Sequence, residues 1–454
     1  MSLDRSHAEL ERPIEGVSDL VAYFRSAEKP RERWRVGTEH EKLGLYLADF
    51  SPVPYDTPRG IGALLERIAE RDAWKKIEEA GRLIALQKGE ASITLEPGGQ
   101  LELSGAPLRT IHETCDELHA HLALVREISA PLGIVWLGLG LHPFHGIDAL
   151  PRMPKARYAI MREYLPTRGE LALEMMHMTA TVQANFDFSD EADCVRKLRA
   201  ALAVTPIVSA IYANSSLSEG KANGFVSKRI HIWTRTDPDR TGILPWAFDP
   251  DCGYARYVEW ALDVPLFFIV RDGRYHPAAG RSFRHFLERG LDGFRASLAD
   301  WDLHLTTLFP EVRLKRFIEV RGADAVPAGL TCSLPALWKG LLYDAEACAA
   351  ASALTREWGA AIRLSALEAV ARHGLAAEVA GQRVLDLARE LLAIAVEGLR
   401  RLGGAGRGDP DERRYLEPVR EQLALGKSPG RVVAERWEGE WGWEPARLID
   451  CARY

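Results

Sequence analysis

The chain has 454 residues, 47% of them apolar and 27% charged, and a net charge of −6 at pH 7. That length supports a sizeable core and two or three domains, and the charge argues against a general electrostatic grip on nucleic acid. The longest apolar run, Ile128 to Leu141, is broken by Pro131 and is shorter than the roughly 20 residues that span a bilayer, so no membrane partner is expected.

In chain order, the opening residues MSLDRSHAELERPIEG alternate acids and bases without an apolar stretch, which reads as a cytoplasmic start rather than a targeting peptide. The segment VGTEHEKLG at 36–44 reads as a strand. With a period of two, Glu39 and Glu41 share one face and are flanked by side chains that belong inside. Arg59 to Ala80 and His112 to Ala130 carry helical periodicity beside β-like runs, the rhythm of a mixed α/β body. In SITLEPGGQLELSGAP, Pro97-Gly98-Gly99 turns the chain between two strands, so Glu96 and Glu102 lie near one turn.

Further on, TATVQANFDF alternates Thr179, Thr181, Gln183, Asn185 and Asp187 with apolar residues, one face packing and one face polar. In RLKRFIEVRGAD, Phe317, Glu319 and Arg321 share a face while Ile318 and Val320 fill the other. From about Leu341 the chain becomes Ala/Leu/Arg/Glu-rich in runs that end in glycine, which predicts successive helices. The Trp-rich RWEGEWGWEP near the end reads as packing and partner surface.

Several short motifs fail in their details. Gly426-Lys427-Ser428 lacks the glycine five residues earlier that a Walker loop needs, since Glu421 stands there. Pro143 occupies the third glycine position of a dinucleotide fingerprint begun by Gly138 and Gly140, and Gly44 replaces the second histidine of a zinc-protease helix begun by His40-Glu41. The six cysteines show no metal-type spacing, and reduced thiols are the default.

A single acidic residue on a strand is most often solvated. Glu39, Glu41, Glu96, Glu102 and Glu319, spread over several polar-faced strands, are different: crowded carboxylates must raise their pKa or bind cations, so a shared face predicts metal. Carboxylate and amide oxygens suit magnesium or manganese rather than zinc, and magnesium points to a nucleotide.

The segments GTEHEKLG, LEPGGQLELSGAP, TVQANFDF, ANSSLSEGKANGF, RTGILPWAFD, HLTTLFPEVRLKRFIEVRGAD and LPALWKGLLYD, in this order, resemble the glutamate–cysteine ligases of the plant and proteobacterial type. The likeness runs from about Arg12 to the C-terminus. It implies an α+β fold: a glutamine-synthetase-like catalytic core at 12–340, whose antiparallel sheet curls into an open funnel, and a helical C-terminal lobe at 341–454. It also implies ATP and Mg2+ (or Mn2+) as cofactors, L-glutamate and L-cysteine as substrates, and a monomer or homodimer. The reaction implied is ligation of the glutamate γ-carboxylate to the cysteine α-amine through γ-glutamyl phosphate. A related ligase that joins glutamate to a different amine would share this machinery.

By the same resemblance, Glu39, Glu41, Glu96, Glu102 and Glu319 are the metal carboxylates, and Gln183 stands where the distant enterobacterial branch has a histidine ligand. Arg321 faces the phosphates, Arg229 contacts glutamate or the acyl phosphate, and Met176 and Met178 border the cysteine pocket. Of the two regulatory disulfides described for plant members, one falls at Ala278 and about Gly293 and cannot form, whereas the other corresponds to Cys115 and Cys332.

Overall fold

The computed structural model describes residues 10–403 and 411–454. Nine strands form its main sheet: β1 (Val36–Tyr46), β2 (Lys75–Glu79), β3 (Arg82–Lys88), β4 (Ala91–Leu95), β5 (Leu101–Ser104), β6 (Ile134–Leu137), β7 (Thr181–Phe186), β8 (Val312–Leu314) and β9 (Ile318–Asp324). The order is β8-β9-β7-β1-β5-β4-β3-β2, with β6 beside the last third of β1 and every pairing antiparallel. The strand read from VGTEHEKLG is the spine. It pairs β7 along its first half, β5 in its middle and β6 at its end. Gly44 is required at the last crossing, since a Cβ there would come within 2.7 Å of the Trp136 ring.

The period-two reading sorts the two faces of the sheet. Val182, Ala184 and Phe186 enter the main apolar core, whose centre is the buried helix α5 (Glu191–Ile211), while the alternate residues of β7 face the other way. The LEPGGQLEL segment is the β4–β5 hairpin, closed by Gly99 at a φ of 90°. One sequence expectation ran too long. The helix read over 59–80 is α1 (Ile61–Asp72), which ends at left-handed Ala73, and the remainder is strand β2. The apolar period explains the stop: Leu64, Leu65 and Ile68 fall on one buried stripe that Lys75 to Glu79 does not continue. Helix α2 (Ile111–Ser129) starts at a capping box formed by Thr110 and Glu113.

Two shorter helices flank the sheet's polar face, α3 (Ala156–Tyr164) and α4 (Ala172–Met178), and α6 (Lys228–Trp233) follows α5. The C-terminal part is helical, as its composition predicts: α7 (Ser333–Leu342), α8 (Ala345–Leu354), α9 (Ala360–His373), α10 (Val384–Gly403), α11 (Glu417–Leu425), α12 (Pro429–Glu438) and α13 (Pro445–Ala452). Residues beyond 341 share the main core, with Leu387 and Leu391 in one cluster with Val204 and Leu337. The last two helices return to the sheet, where Trp437, Trp441 and Leu448 pack on Leu43, Leu45 and Leu137, while Trp443 stays exposed. Gly426, at a φ of 67°, caps α11, and Ser428 precedes α12, so the Walker-like trio is a helix-to-helix turn.

Cys115 on α2 and Cys332 ahead of α7 are joined as a disulfide with Cα atoms 5.8 Å apart and 217 positions between them. Closing so long a loop in the unfolded chain stabilises the fold by as much as ~5 kcal/mol on entropic grounds. Denaturant unfolding with and without reductant is expected to show the reduced protein unfolding earlier, and Cys115→Ser to unfold at one midpoint under both conditions. Equal midpoints for reduced and oxidised wild type would mean that the bridge adds no stability.

Candidate functional site

The polar face of the sheet is the wall of a cavity of about 510 Å3. Strand register places its side chains in rows. Glu39 lies between Gln183 and Ser104, and Glu41 lies opposite Glu102, which in turn lies opposite Thr94. Glu96, at the end of β4, joins the same cavity beside Gln100. Four carboxylates thus point inward from three adjacent strands because antiparallel pairing aligns every second residue.

Burial and mutual repulsion penalise this arrangement. Burial, then the charges of Glu319 and Glu102, push the Glu39 carboxyl up to about 7. Burial and the charges of Glu96 and Glu102 raise Glu41 well above the carboxylate range, and burial with Glu96 raises Glu102. Hydrogen bonds offset part of the penalty. Glu41 accepts from the Thr181 amide at 2.9 Å, Glu39 from the Asn185 side chain at 3.1 Å, and Glu102 from the Ser104 hydroxyl at 2.5 Å. Among the described residues no three His, Cys, Asp or Glu side chains already converge on one point. The wall is a set of hard oxygen donors, a chemistry that fits magnesium or manganese.

Cations flank the acids. Arg321 donates from Nη1 to Gln183 at 2.6 Å and to Glu319 at 2.9 Å. A β-bulge aims it: Val320 pairs Ala184 and Ala323 pairs Val182, so Arg321 and Gly322 together oppose the single Gln183. A Cβ at residue 322 would lie 2.6 Å from the Glu311 carboxylate, which explains the glycine. Arg229, on α6, is buried, donates to the Arg321 carbonyl at 3.1 Å and pairs with Asp324 at 3.9 Å. Its Nε has no partner among the described residues.

The sequence profile of glutamate-cysteine ligase family 2 matches residues 35–446. The chain belongs to that family. It is similar to the chloroplastic glutamate–cysteine ligase of Brassica juncea, 46% identical over 427 residues that cover 93% of this chain and 81% of the relative. It is also similar to chloroplastic glutamate–cysteine ligase B of Oryza sativa, 46% identical over 93% of this chain and 84% of that one. Among solved structures, the glutamate–cysteine ligase of Francisella tularensis in complex with AMP superposes with a TM-score of 0.54 at 12% identity, covering 92% of this chain and 87% of that chain. The shared architecture is an open antiparallel sheet whose polar face walls the cavity.

In this ligase, Glu39, Glu41, Glu96, Glu102, Gln183, Arg229, Arg321 and Met176 all line the cavity. Two expected site residues stand elsewhere. Glu319 is fully buried behind the wall, where Arg313 holds Oε2 at 2.6 Å and Lys315 approaches Oε1 at 3.6 Å. Burial alone would raise its pKa, but the Arg313, Lys315 and Arg321 charges outweigh it and hold the carboxyl well below the usual range. Met178 is packed in the apolar core, one step beyond the cavity-facing turn of α4, and Met175 takes the lining position beside Met176.

Sequence reasoning missed Lys155, Arg157 and Tyr158, which line the cavity from the start of α3. The stretch MPKARY offered a signal, two cations next to an aromatic just after a proline, yet nothing local shows which way it faces. Arg313 and Lys315 were also missed; they sit on the same polar face as Glu319 at a spacing of two.

Proposed function

We propose that this ligase joins the γ-carboxylate of L-glutamate to the α-amine of L-cysteine using ATP, and the observation that carries the reading is the inward-facing set Glu39, Glu41, Glu96 and Glu102 with Arg321 beside it. A carboxylate is a poor acyl donor, so a γ-carboxylate oxygen takes the terminal phosphoryl group of ATP, ADP leaves, and the amine then displaces phosphate from the acyl carbon. Protein groups contribute mainly by position and charge. Glu39, Glu41, Glu96, Glu102 and Gln183 would hold magnesium, which neutralises phosphate charge when bound. Glu319 would support this set from behind the wall, where Arg313, Lys315 and Arg321 already close around its carboxylate. The Arg321 fork receives the phosphoryl oxygens, and Arg229 holds glutamate or the acyl phosphate. Met176 borders the cysteine thiol.

The same reading has the ligase acting on small molecules without nucleic acid or membrane, as a monomer or homodimer in the cytoplasm. Its net charge of −6 supports the first part. Among the described residues no helix is long and apolar enough to cross a membrane. The test of function is ADP release with glutamate and a panel of second amino acids. Strong stimulation by cysteine is expected, whereas stimulation by a different amine alone would favour the related-ligase reading.

Magnesium affinity is expected to rise with pH. Below about pH 7 Glu39 holds a proton that an entering ion must displace, so the raised pKa weakens binding on the acidic side and the effect fades above it. One displaced proton gives about a 10-fold gain between pH 6 and 8. Calorimetric titration in two buffers of different ionisation heat measures the proton release directly; pH-independent affinity without release would show that the carboxylates are already ionised.

A further inference from the structure

The cavity has a second cationic end, beside Glu96, that the phosphate contacts leave unused. Helix α3 begins against the end of β4: the Met153 amide donates to the Pro97 carbonyl at 3.1 Å, and Lys155 Nζ and the Tyr158 hydroxyl both donate to the Leu95 carbonyl, at 2.7 and 2.6 Å. Glu79 of β2 receives the Ala156 amide at 2.5 Å and fixes the first turn. This anchoring sets Arg157 in the cavity wall, across the Tyr158 ring at 5.1 Å. Its guanidinium donates to the Tyr158 hydroxyl at 3.3 Å, and its Nε is buried without a partner among the described residues. A guanidinium nitrogen that is shielded from water and makes no hydrogen bond is costly unless a ligand completes it.

Register separates this end from the phosphate end. Along the strands, Asn185 and Glu319 form one border of the polar face and Glu39 and Gln183 the next row, whereas Glu96 lies past Thr94 at the opposite border. Arg313 and Lys315 belong to the first border through Glu319, and Arg157 belongs to the last, where Glu96 is the carboxylate that acts on it most strongly. Next to the charged Lys155 and Glu96, the wall at this end is sulfur-rich, with Met161, Met175 and Met176 in one apolar cluster with Tyr158 and Tyr275. A triphosphate needs many donors and finds few here. A small amino acid with one carboxylate and a polarizable side chain fits both features.

We propose that Arg157 receives the α-carboxylate of the acceptor amino acid and so selects cysteine over amines that lack a carboxylate. The assignment rests on the ligase reading above. In that reaction the acceptor's amine is consumed and its α-carboxylate is the charge left to recognise, while the donor is assigned to Arg229. A planar fork can pair both oxygens of a carboxylate and thereby orient the amine toward the acyl carbon.

The test compares L-cysteine with cysteamine, which lacks the carboxylate, and with L-2-aminobutyrate, which lacks the thiol, by initial rates of ADP release. Wild type is expected to prefer cysteine and 2-aminobutyrate to cysteamine. Arg157→Met is expected to raise KM for cysteine by about 10- to 100-fold, leave KM for ATP and glutamate within about twofold, and leave cysteamine turnover unchanged, so that the preference collapses. Arg157→Lys should restore part of it. The wild-type comparison needs no variant: equal use of cysteamine and cysteine overturns the assignment. So does an Arg157→Met enzyme that loses ATP or glutamate affinity, or that loses both acceptors equally. Wild type showing no ADP release with glutamate and cysteine would instead overturn the ligase reading itself.

Discussion

Arg321→Lys is expected to lose about 10²-fold or more in turnover although its charge is kept, the cost typical of removing a donor aimed at developing charge. Arg321 meets four partners from a bulge: Nη1 donates to Gln183 and Glu319, its carbonyl accepts from Arg229 and the Thr181 hydroxyl, and the residue lines the cavity. A lysine ammonium could reach Glu319 or a phosphate oxygen, but not both in the geometry of two parallel hydrogen bonds. Because Arg229 binds the backbone carbonyl of residue 321, its anchor survives the substitution, and the loss should fall on kcat rather than on KM for glutamate. Steady-state kinetics with ATP and glutamate varied separately measures this. Turnover like that of the parent would make Arg321 a structural residue, with phosphate held from elsewhere.

Glu41→Gln and Glu102→Gln are each expected to lower magnesium-dependent turnover by about 10²-fold or more, since even groups that only orient a metal ligand are worth 10- to 100-fold. The two residues face each other across β1 and β5, and both carry pKa values raised by burial and by neighbouring carboxylates. Removing one charge relieves that repulsion, so the folded protein without metal should be as stable as the parent or more so while activity falls. Circular dichroism melting in chelator, combined with ADP release over a range of magnesium concentrations, separates the two effects. Near-normal activity in both variants would remove the carboxylates from the metal set.

Much of the site is legible in sequence because strand geometry is simple. Period two alone puts Glu39 with Glu41 and Thr181 with Gln183 on common faces, and Pro97-Gly98-Gly99 announces the hairpin that carries Glu96 and Glu102. The same rule misleads wherever the ladder is irregular. By parity Ala323 should share the face of Glu319 and Arg321, but the bulge at Arg321-Gly322 reverses the alternation and brings Asp324 opposite Thr181 instead. Asp324 then reaches Arg229 and accepts from the Asn214 amide and the Ser215 hydroxyl, each at 2.7 Å, a network that no local pattern announces.

By itself the sequence determined which residues are polar on otherwise apolar strands, where the turns fall, and that the last quarter is helical, since these depend on local periodicity and backbone chemistry. It determined the family as well, through long motifs in a fixed order. Tertiary structure decided what those polar faces meet. Glu319 reads as one more inward carboxylate, yet Arg313, Lys315 and Arg321 close around it, and Met178 turns to the core where Met175 lines the cavity. Arg157 looks like a surface cation until the Leu95 carbonyl and Glu79 draw the start of α3 against the sheet. The contacts that place α3 join residues tens of positions apart, whereas the cations around Glu319 stand only two to six positions away and are brought onto it by strand pairing; in both cases it is the meeting of side chains in three dimensions that decides whether a charge stays free or is neutralised in place.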